Sequence, residues 1–198
     1  MLEKFSGHPH IINLIEQGRA SFLDSENNEW GQFYLLFEYP RAGHLIGMLM
    51  EMDPLGEDAG RFFINQLIKA LETMHSCDIA HRDLKPENIM LDQMLNLKLI
   101  DFGLTNSADT QDDVKNLSTF AGTPQYQAPE IISKKAYNGK QTDMFSVGVI
   151  LFMIVFKSYP FREATKSDRY YKYIYKNSDE NFDLYWQAMN SRMKKKGV

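Results

Sequence analysis

A chain of 198 residues can bury one substantial core and is short for two domains. Its hydrophobic content of 43% and charged content of 24% place it with soluble globular proteins, and a net charge of −4 argues against a nucleic-acid partner. The single cysteine, Cys77, excludes an intrachain disulfide and points to a reducing, cytoplasmic setting.

The N-terminal residues show no apolar run of the kind a secretory leader carries, and Gly7 and Pro9 break any early helix. Residues 13–22 predict a strand, residues 24–29 a polar turn, and residues 33–39 a second strand, apolar enough to be buried on both faces. Residues 57–77 predict a helix. Phe63, Leu67, Leu71 and Met74 recur at helical spacing, and Ile64 and Ile68 widen the stripe. Cys77, near that helix end, reads as a packed small residue. The longest apolar run, residues 147–156, is too short to span a bilayer and reads as a buried core element, so no membrane partner is expected. Its β-branched and aromatic content leaves strand and helix both open. Residues 169–176 and 182–189 predict two more helices, anchored by Tyr170, Tyr173, Tyr185 and Trp186. The basic tail, residues 192–196, reads as a solvated end.

The stretch 81–103 carries the chemistry. It runs His81-Arg82-Asp83-Leu84-Lys85-Pro86-Glu87-Asn88, then a strand at 89–91, a turn at 92–96, a strand at 97–100, and Asp101-Phe102-Gly103. A hairpin brings its two ends together, so Asp83, Asn88 and Asp101 converge on one small volume. Carboxylate and amide oxygens gathered there suit a hard divalent cation such as Mg²⁺, and a lysine beside them suits a phosphate.

These residues resemble the eukaryotic protein kinases. HRDLKPEN and DFG are intact, and Ala128-Pro129-Glu130 supplies a third signature in the family's order. The resemblance implies an α+β, protein-kinase-like fold: remnant small-lobe strands over residues 1–37, a hinge at 38–41, and an incomplete helical large lobe over 42–198. Phe5 to Ile12 resembles the junction that leads from the small lobe's helix into its fourth strand. The match also decides for a helix over 147–156, reaching back to Thr142, with Asp143 capping its start and holding the catalytic loop's backbone amides.

The resemblance implies ATP and Mg²⁺ as cofactors and a protein serine or threonine hydroxyl as acceptor. Asp83 would orient that hydroxyl and take its proton, and Lys85 would neutralise the moving phosphoryl. Asn88 and Asp101 would hold Mg²⁺. Phe37 would be the gatekeeper, Glu38 and Tyr39 would meet adenine through their backbone, and Met90 would pack beneath it. Lys85 and Thr123 point to the serine/threonine class, with Thr123 touching Asp83. Glu87 matches a position that selects a basic residue upstream of the acceptor. His81 would be a packing post under Phe102. The loop before Thr123 looks like that of the calmodulin-dependent and energy-sensing branch, with Thr119 as the site an activating kinase would phosphorylate and Arg82 as the partner of that phosphate.

No glycine-rich loop and no strand-borne lysine with its family context are present in the sequence, and the family's arginine partner for Glu130 is not seen. The expectation is weak ATP binding and poor transfer by this polypeptide alone, with Glu130 unpaired. Two other readings stay open: a non-catalytic kinase-like binding module, and a small-molecule phosphotransferase, against which the APE motif and the Thr123 loop argue.

Overall fold

The computed structural model describes residues 2–23, 25–103, 105–107 and 123–196. Thr119 and most of the segment between Gly103 and Thr123 lie outside these residues. Strands β1 (Leu14–Leu23) and β2 (Glu29–Phe37) form an antiparallel pair, with Leu23 opposite Glu29 and Leu14 opposite Phe37. The helical body follows, beginning with the short strand β3 (Gly43–His44) and helix α1 (Leu45–Glu51).

Helix α2 (Gly56–Ser76) begins one residue before the predicted helix and ends one before its predicted end. Its stripe is buried as the spacing requires: Phe63, Leu67, Leu71 and Met74 are all within the core. Strand β4 (Ile79–Ala80) leads into the 81–88 loop. Strands β5 (Ile89–Leu91) and β6 (Leu97–Leu99) form the predicted hairpin, in register Ile89 with Leu99. Alternation decides its faces: Ile89, Leu91, Leu97 and Leu99 point into the core, while Met90 and Lys98 face the other way. The turn is pinned by Asp92, whose carboxylate accepts from the backbone N–H groups of Met94 and Asn96 and from the Asn96 side chain. Burial alone would raise this carboxyl's pKa, but the three hydrogen bonds prevail and lower it.

Strand β3 adds to β5, and β7 (Asn106–Ser107) pairs with β4. A single helical turn, α3 (Pro129–Ile132), begins after Ala128 and carries Pro129 and Glu130. Helix α4 (Gly139–Phe156) is the central element, followed by α5 (Tyr171–Lys176) and α6 (Asp179–Lys196). By length and composition α4 could cross a membrane. Here it packs against α2, burying Val147, Val149, Ile150, Met153 and Ile154 in the main core, and its Phe152 and Phe156 meet Trp186 of α6. Contact on several sides accounts for a sequence that is apolar all round.

Three expectations change. The second strand is not buried on both faces: Phe33 is 82% exposed and Leu35 56%, because β1 and β2 pair only with each other among the described residues. Cys77 is exposed, since it follows the last turn of α2 and no side chain covers it as a core residue. Asp143 does not cap α4. Asn138 does, accepting from the Lys140 N–H at 2.9 Å, because the helix starts at Gly139 and places Asp143 inside its second turn.

Candidate active site

The loop from His81 to Asn88 is held from below by α4. Asp143, 1% exposed, accepts from the backbone N–H of His81 at 2.9 Å and of Arg82 at 2.8 Å. Its Oδ2 also meets His75 Nε2 at 2.8 Å. The expected anchoring role of Asp143 is thus present without the expected cap. Arg82 sits at φ +70°, a left-handed backbone that the two amide bonds hold in place.

His81 is fully buried and tilts against Phe102 with ring centroids 5.5 Å apart. Burial lowers its pKa, outweighing its contact with the Ile100 carbonyl at 3.0 Å, so it packs as a neutral imidazole. Phe5 stacks on the same phenyl ring at 6.5 Å, which joins the N-terminal segment to the Asp101-Phe102-Gly103 turn.

Above this base, Asp83, Lys85 and Asn88 form one hydrogen-bonded group. Lys85 Nζ lies 2.6 Å from Asp83 Oδ2. Asn88 Nδ2 donates to the same oxygen at 2.9 Å and to the Asp83 carbonyl at 2.8 Å. The Ile100 N–H donates to the Asn88 carbonyl at 2.9 Å, so the hairpin delivers Asp101 directly after a residue tied to Asn88. Asp101 takes φ +61° and accepts the Gly103 N–H on Oδ1 at 3.1 Å.

The donor set fits Mg²⁺. With its amide nitrogen spent on Asp83, Asn88 has Oδ1 free of hydrogen bonds among the described residues, and Asp101 Oδ2 is likewise unengaged. Two hard oxygens from the chain suit a cation that takes its other oxygens from nucleotide phosphates and water. Among the described residues no cluster of three His, Cys, Asp or Glu side chains offers a different metal site.

The residues expected around adenine lie along the β5–β6 hairpin and the end of β2. Met90, on β5, pairs with Lys98, whose Nζ is 2.7 Å from Glu38 Oε1. The same Glu38 oxygen accepts the Asn13 N–H at 2.8 Å, and the Glu38 N–H donates to the Asn13 carbonyl at 3.0 Å. Glu38 therefore ties both strands of the small sheet to the hairpin. Phe37 is half-buried and Tyr39 is 76% exposed. Glu87 keeps one buried carboxylate oxygen without a partner, while its carbonyl contacts His44 Nδ1 at 2.8 Å. Thr123 precedes the turn Pro124–Tyr126 and is not among the hydrogen-bond partners of Asp83, both of whose donors come from its own loop. Glu130 forms no ion pair among the described residues.

Sequence reasoning missed His75, Asn138, Phe5 and Gln66. The Gln66 side chain, 7% exposed, accepts the Leu97 N–H at 2.8 Å and locks the hairpin to α2. A polar residue inside an apolar stripe was the available signal for Gln66, and an Asn before Gly-Lys was the signal for Asn138. Nothing local marks His75 or Phe5, whose partners are remote in sequence.

This backbone and loop define a protein kinase domain. The family model for the protein kinase domain matches residues 1–195, and the chain belongs to that family. It is 38% identical over 165 residues to CBL-interacting protein kinase 11 of Oryza sativa subsp. japonica, covering 83% of this chain and 31% of that protein. It is 37% identical over 165 residues to CBL-interacting serine/threonine-protein kinase 15 of Arabidopsis thaliana, covering 83% and 37%. With the SNF1-related protein kinase catalytic subunit alpha KIN12 of Arabidopsis thaliana it shares 39% identity over 158 residues, covering 80% and 29%. The chain thus spans about a third of the length of the curated relatives it matches.

Proposed function

We propose that this chain carries the catalytic loop of a serine/threonine protein kinase, with ATP as phosphoryl donor. The observation that carries the reading is the hydrogen-bonded group of Asp83, Lys85 and Asn88, joined through the hairpin to Asp101. In this reading Asp83 Oδ1, free of hydrogen bonds among the described residues, accepts the acceptor hydroxyl and turns its oxygen toward the γ-phosphorus. The new bond is hydroxyl oxygen to phosphorus, the bond broken is the bridging oxygen to the γ-phosphorus, and the proton passes to Asp83 as ADP leaves. Lys85 holds Asp83 Oδ2 and sets its cation beside the transferring group. Asn88 and Asp101 would hold Mg²⁺, which when bound neutralises charge on the phosphates. Glu38, Tyr39, Phe37 and Met90 would border the adenine.

Substrate choice and control follow from two unsatisfied buried atoms. The free Glu87 oxygen supports selection of a basic residue near the acceptor. The buried Arg82 Nε, also without a partner, supports pairing with a phosphate, for which Thr119 is the candidate and an activating kinase the source. Thr123 is retained as a candidate acceptor-side contact, and the compartment is proposed to be the cytoplasm.

The deciding assay follows γ-phosphoryl label from Mg-ATP into a basic serine peptide, comparing the chain with Asp83→Asn. Label above the Asp83→Asn background supports the reading, and equal labelling overturns it. The exposed Phe33 and Leu35 face favours the alternative, a non-catalytic module that docks a partner there. Equal labelling together with partner capture lost in Phe33→Lys would establish that module instead.

A further inference from the structure

A cavity of about 730 Å³ opens beside the Pro124–Tyr126 turn and is bordered by the loop between α4 and α5 and by α6. Three guanidinium groups line it: Arg162, Arg169 and Arg192. None of the three forms an ion pair with a carboxylate among the described residues. Two carboxylates line it as well. Asp168 has both oxygens engaged, accepting from the N–H groups of Tyr170 and Tyr171 on one and of Arg162 on the other. Glu163 is exposed on the same loop and leaves a charge excess of one cation.

Arg192 is preorganised. Its Nη1 donates to the Tyr159 carbonyl at 3.0 Å, and its guanidinium lies 5.1 Å from the centre of the Tyr170 ring. A fixed planar fork with donors to spare is a carboxylate receptor. Facing the same cavity, Gln125 keeps a buried Oε1 that no donor reaches. The lining therefore suits two partners at once: an anion for the guanidinium groups and an N–H donor for Gln125. A polypeptide segment with an acidic side chain supplies both.

Gln125 lies on the Pro124–Tyr126 turn, which directly follows Thr123, the candidate acceptor-side contact. In the kinase reading, an acceptor polypeptide seated at Thr123 therefore comes beside this cavity.

We infer that this cavity is a substrate subsite for an Asp or Glu side chain in the polypeptide that presents the acceptor hydroxyl. This deepens the kinase reading and rests on it. It makes the substrate dipolar, with a basic residue toward Glu87 and an acidic one toward the arginines.

The test is a binding panel, since binding does not require turnover. Fluorescence anisotropy is read for short serine peptides carrying Glu, Gln or Lys at each flanking position in turn, together with phosphoryl transfer to the same peptides. At one position Glu is expected to bind about fivefold tighter than Gln, with the preference weakening as salt rises. The double variant Arg162→Ala, Arg169→Ala removes two exposed side chains and is expected to erase most of that preference. Arg192→Gln is the second probe, with its melting temperature as the folding check. Equal binding of Glu and Gln at every position overturns the inference, as does a preference that survives in both variants. Transfer without any Glu preference sinks the subsite and spares the kinase reading. A Glu preference without transfer to any peptide overturns the kinase reading and with it the role of the cavity as a substrate subsite.

Discussion

The carboxylate of Asp143, in the second turn of α4, receives the backbone N–H of Arg82 at 2.8 Å, and its other oxygen receives those of His81 and the His75 ring. The core helix thus fixes the 81–88 loop by its main chain, without using the side chains of Asp83, Lys85 and Asn88. Replacing Asp143 by Ala leaves buried donors without an acceptor. The expected loss is about 3–5 kcal/mol of unfolding free energy, read from urea midpoints. Asp143→Asn keeps one acceptor oxygen and should lose about half as much. Equal losses in the two variants would show that the amide bonds do not hold the loop.

Asn88 works in the opposite direction, from loop to site. Its Nδ2 bridges the Asp83 carbonyl and carboxylate, which leaves its own oxygen pointing elsewhere. Asn88→Asp cannot donate, and it sets a second carboxylate against Asp83 in a position only 6% exposed. Phosphoryl transfer should fall by roughly a hundredfold or more, with the helical circular dichroism signal unchanged. Transfer within about threefold of the unaltered chain would mean that the amide donor does not set the site.

The hairpin, the stripe of α2 and the grouping of Asp83, Lys85 and Asn88 were legible in sequence because local rules govern them. Alternation sets the faces of Ile89 to Leu99, and helical spacing sets Phe63 to Met74. What escaped depends on partners far along the chain. The exposure of Phe33 turns on which strands neighbour β2, and no property of residues 33–39 encodes that. Asp143 was correctly tied to the loop, yet its place inside α4 was missed because Asn138 begins the helix earlier than the apolar run suggests. The arginine cavity combines residues 125, 162, 169 and 192, too scattered to form a motif.

Acid should weaken the fold through the histidines beside the hairpin. His8 Nε2 contacts Thr73 on α2 at 3.2 Å, and His10 Nδ1 contacts the Leu97 carbonyl at 3.3 Å. Burial lowers both pKa values below 6.5. For His8, proximity to His10 and Lys98 adds to it. For His10, Lys69 and Lys98 add to it, while the Leu97 carbonyl and Asp92 oppose it. A histidine with a depressed folded pKa binds fewer protons folded than unfolded. Its neutral packing is therefore intact above about 6.5 and is lost progressively as pH falls below that value. His81 acts in the same direction. The double variant His8→Gln, His10→Asn should show a shallower fall in stability between about pH 7 and pH 5 than the unaltered chain, by denaturant titration at each pH. Parallel slopes would assign the acid sensitivity to His81 or to other groups.

Two glycines of α4 give predictions of opposite sign. A Cβ on Gly139 would come 2.8 Å from the Ala80 Cβ and 3.5 Å from Arg82 Cγ. Ala80 belongs to β4, whose backbone is paired with β7, so it cannot swing away as the tip of a long side chain would. Gly139→Ala should cost about 1–3 kcal/mol through overpacking, although alanine is the better helix former. The same displacement would push the 81–88 loop off its Asp143 anchor, so transfer should fall with stability. Gly148, nine residues on in the same helix, has nothing within 4 Å of such a Cβ and faces solvent. There the propensity gain is unopposed, and Gly148→Ala should raise stability by about 0.5–1 kcal/mol. Thermal melts of the two variants side by side decide the matter: a stabilising shift in both would mean that the close approach of α4 to β4 does not exist in solution.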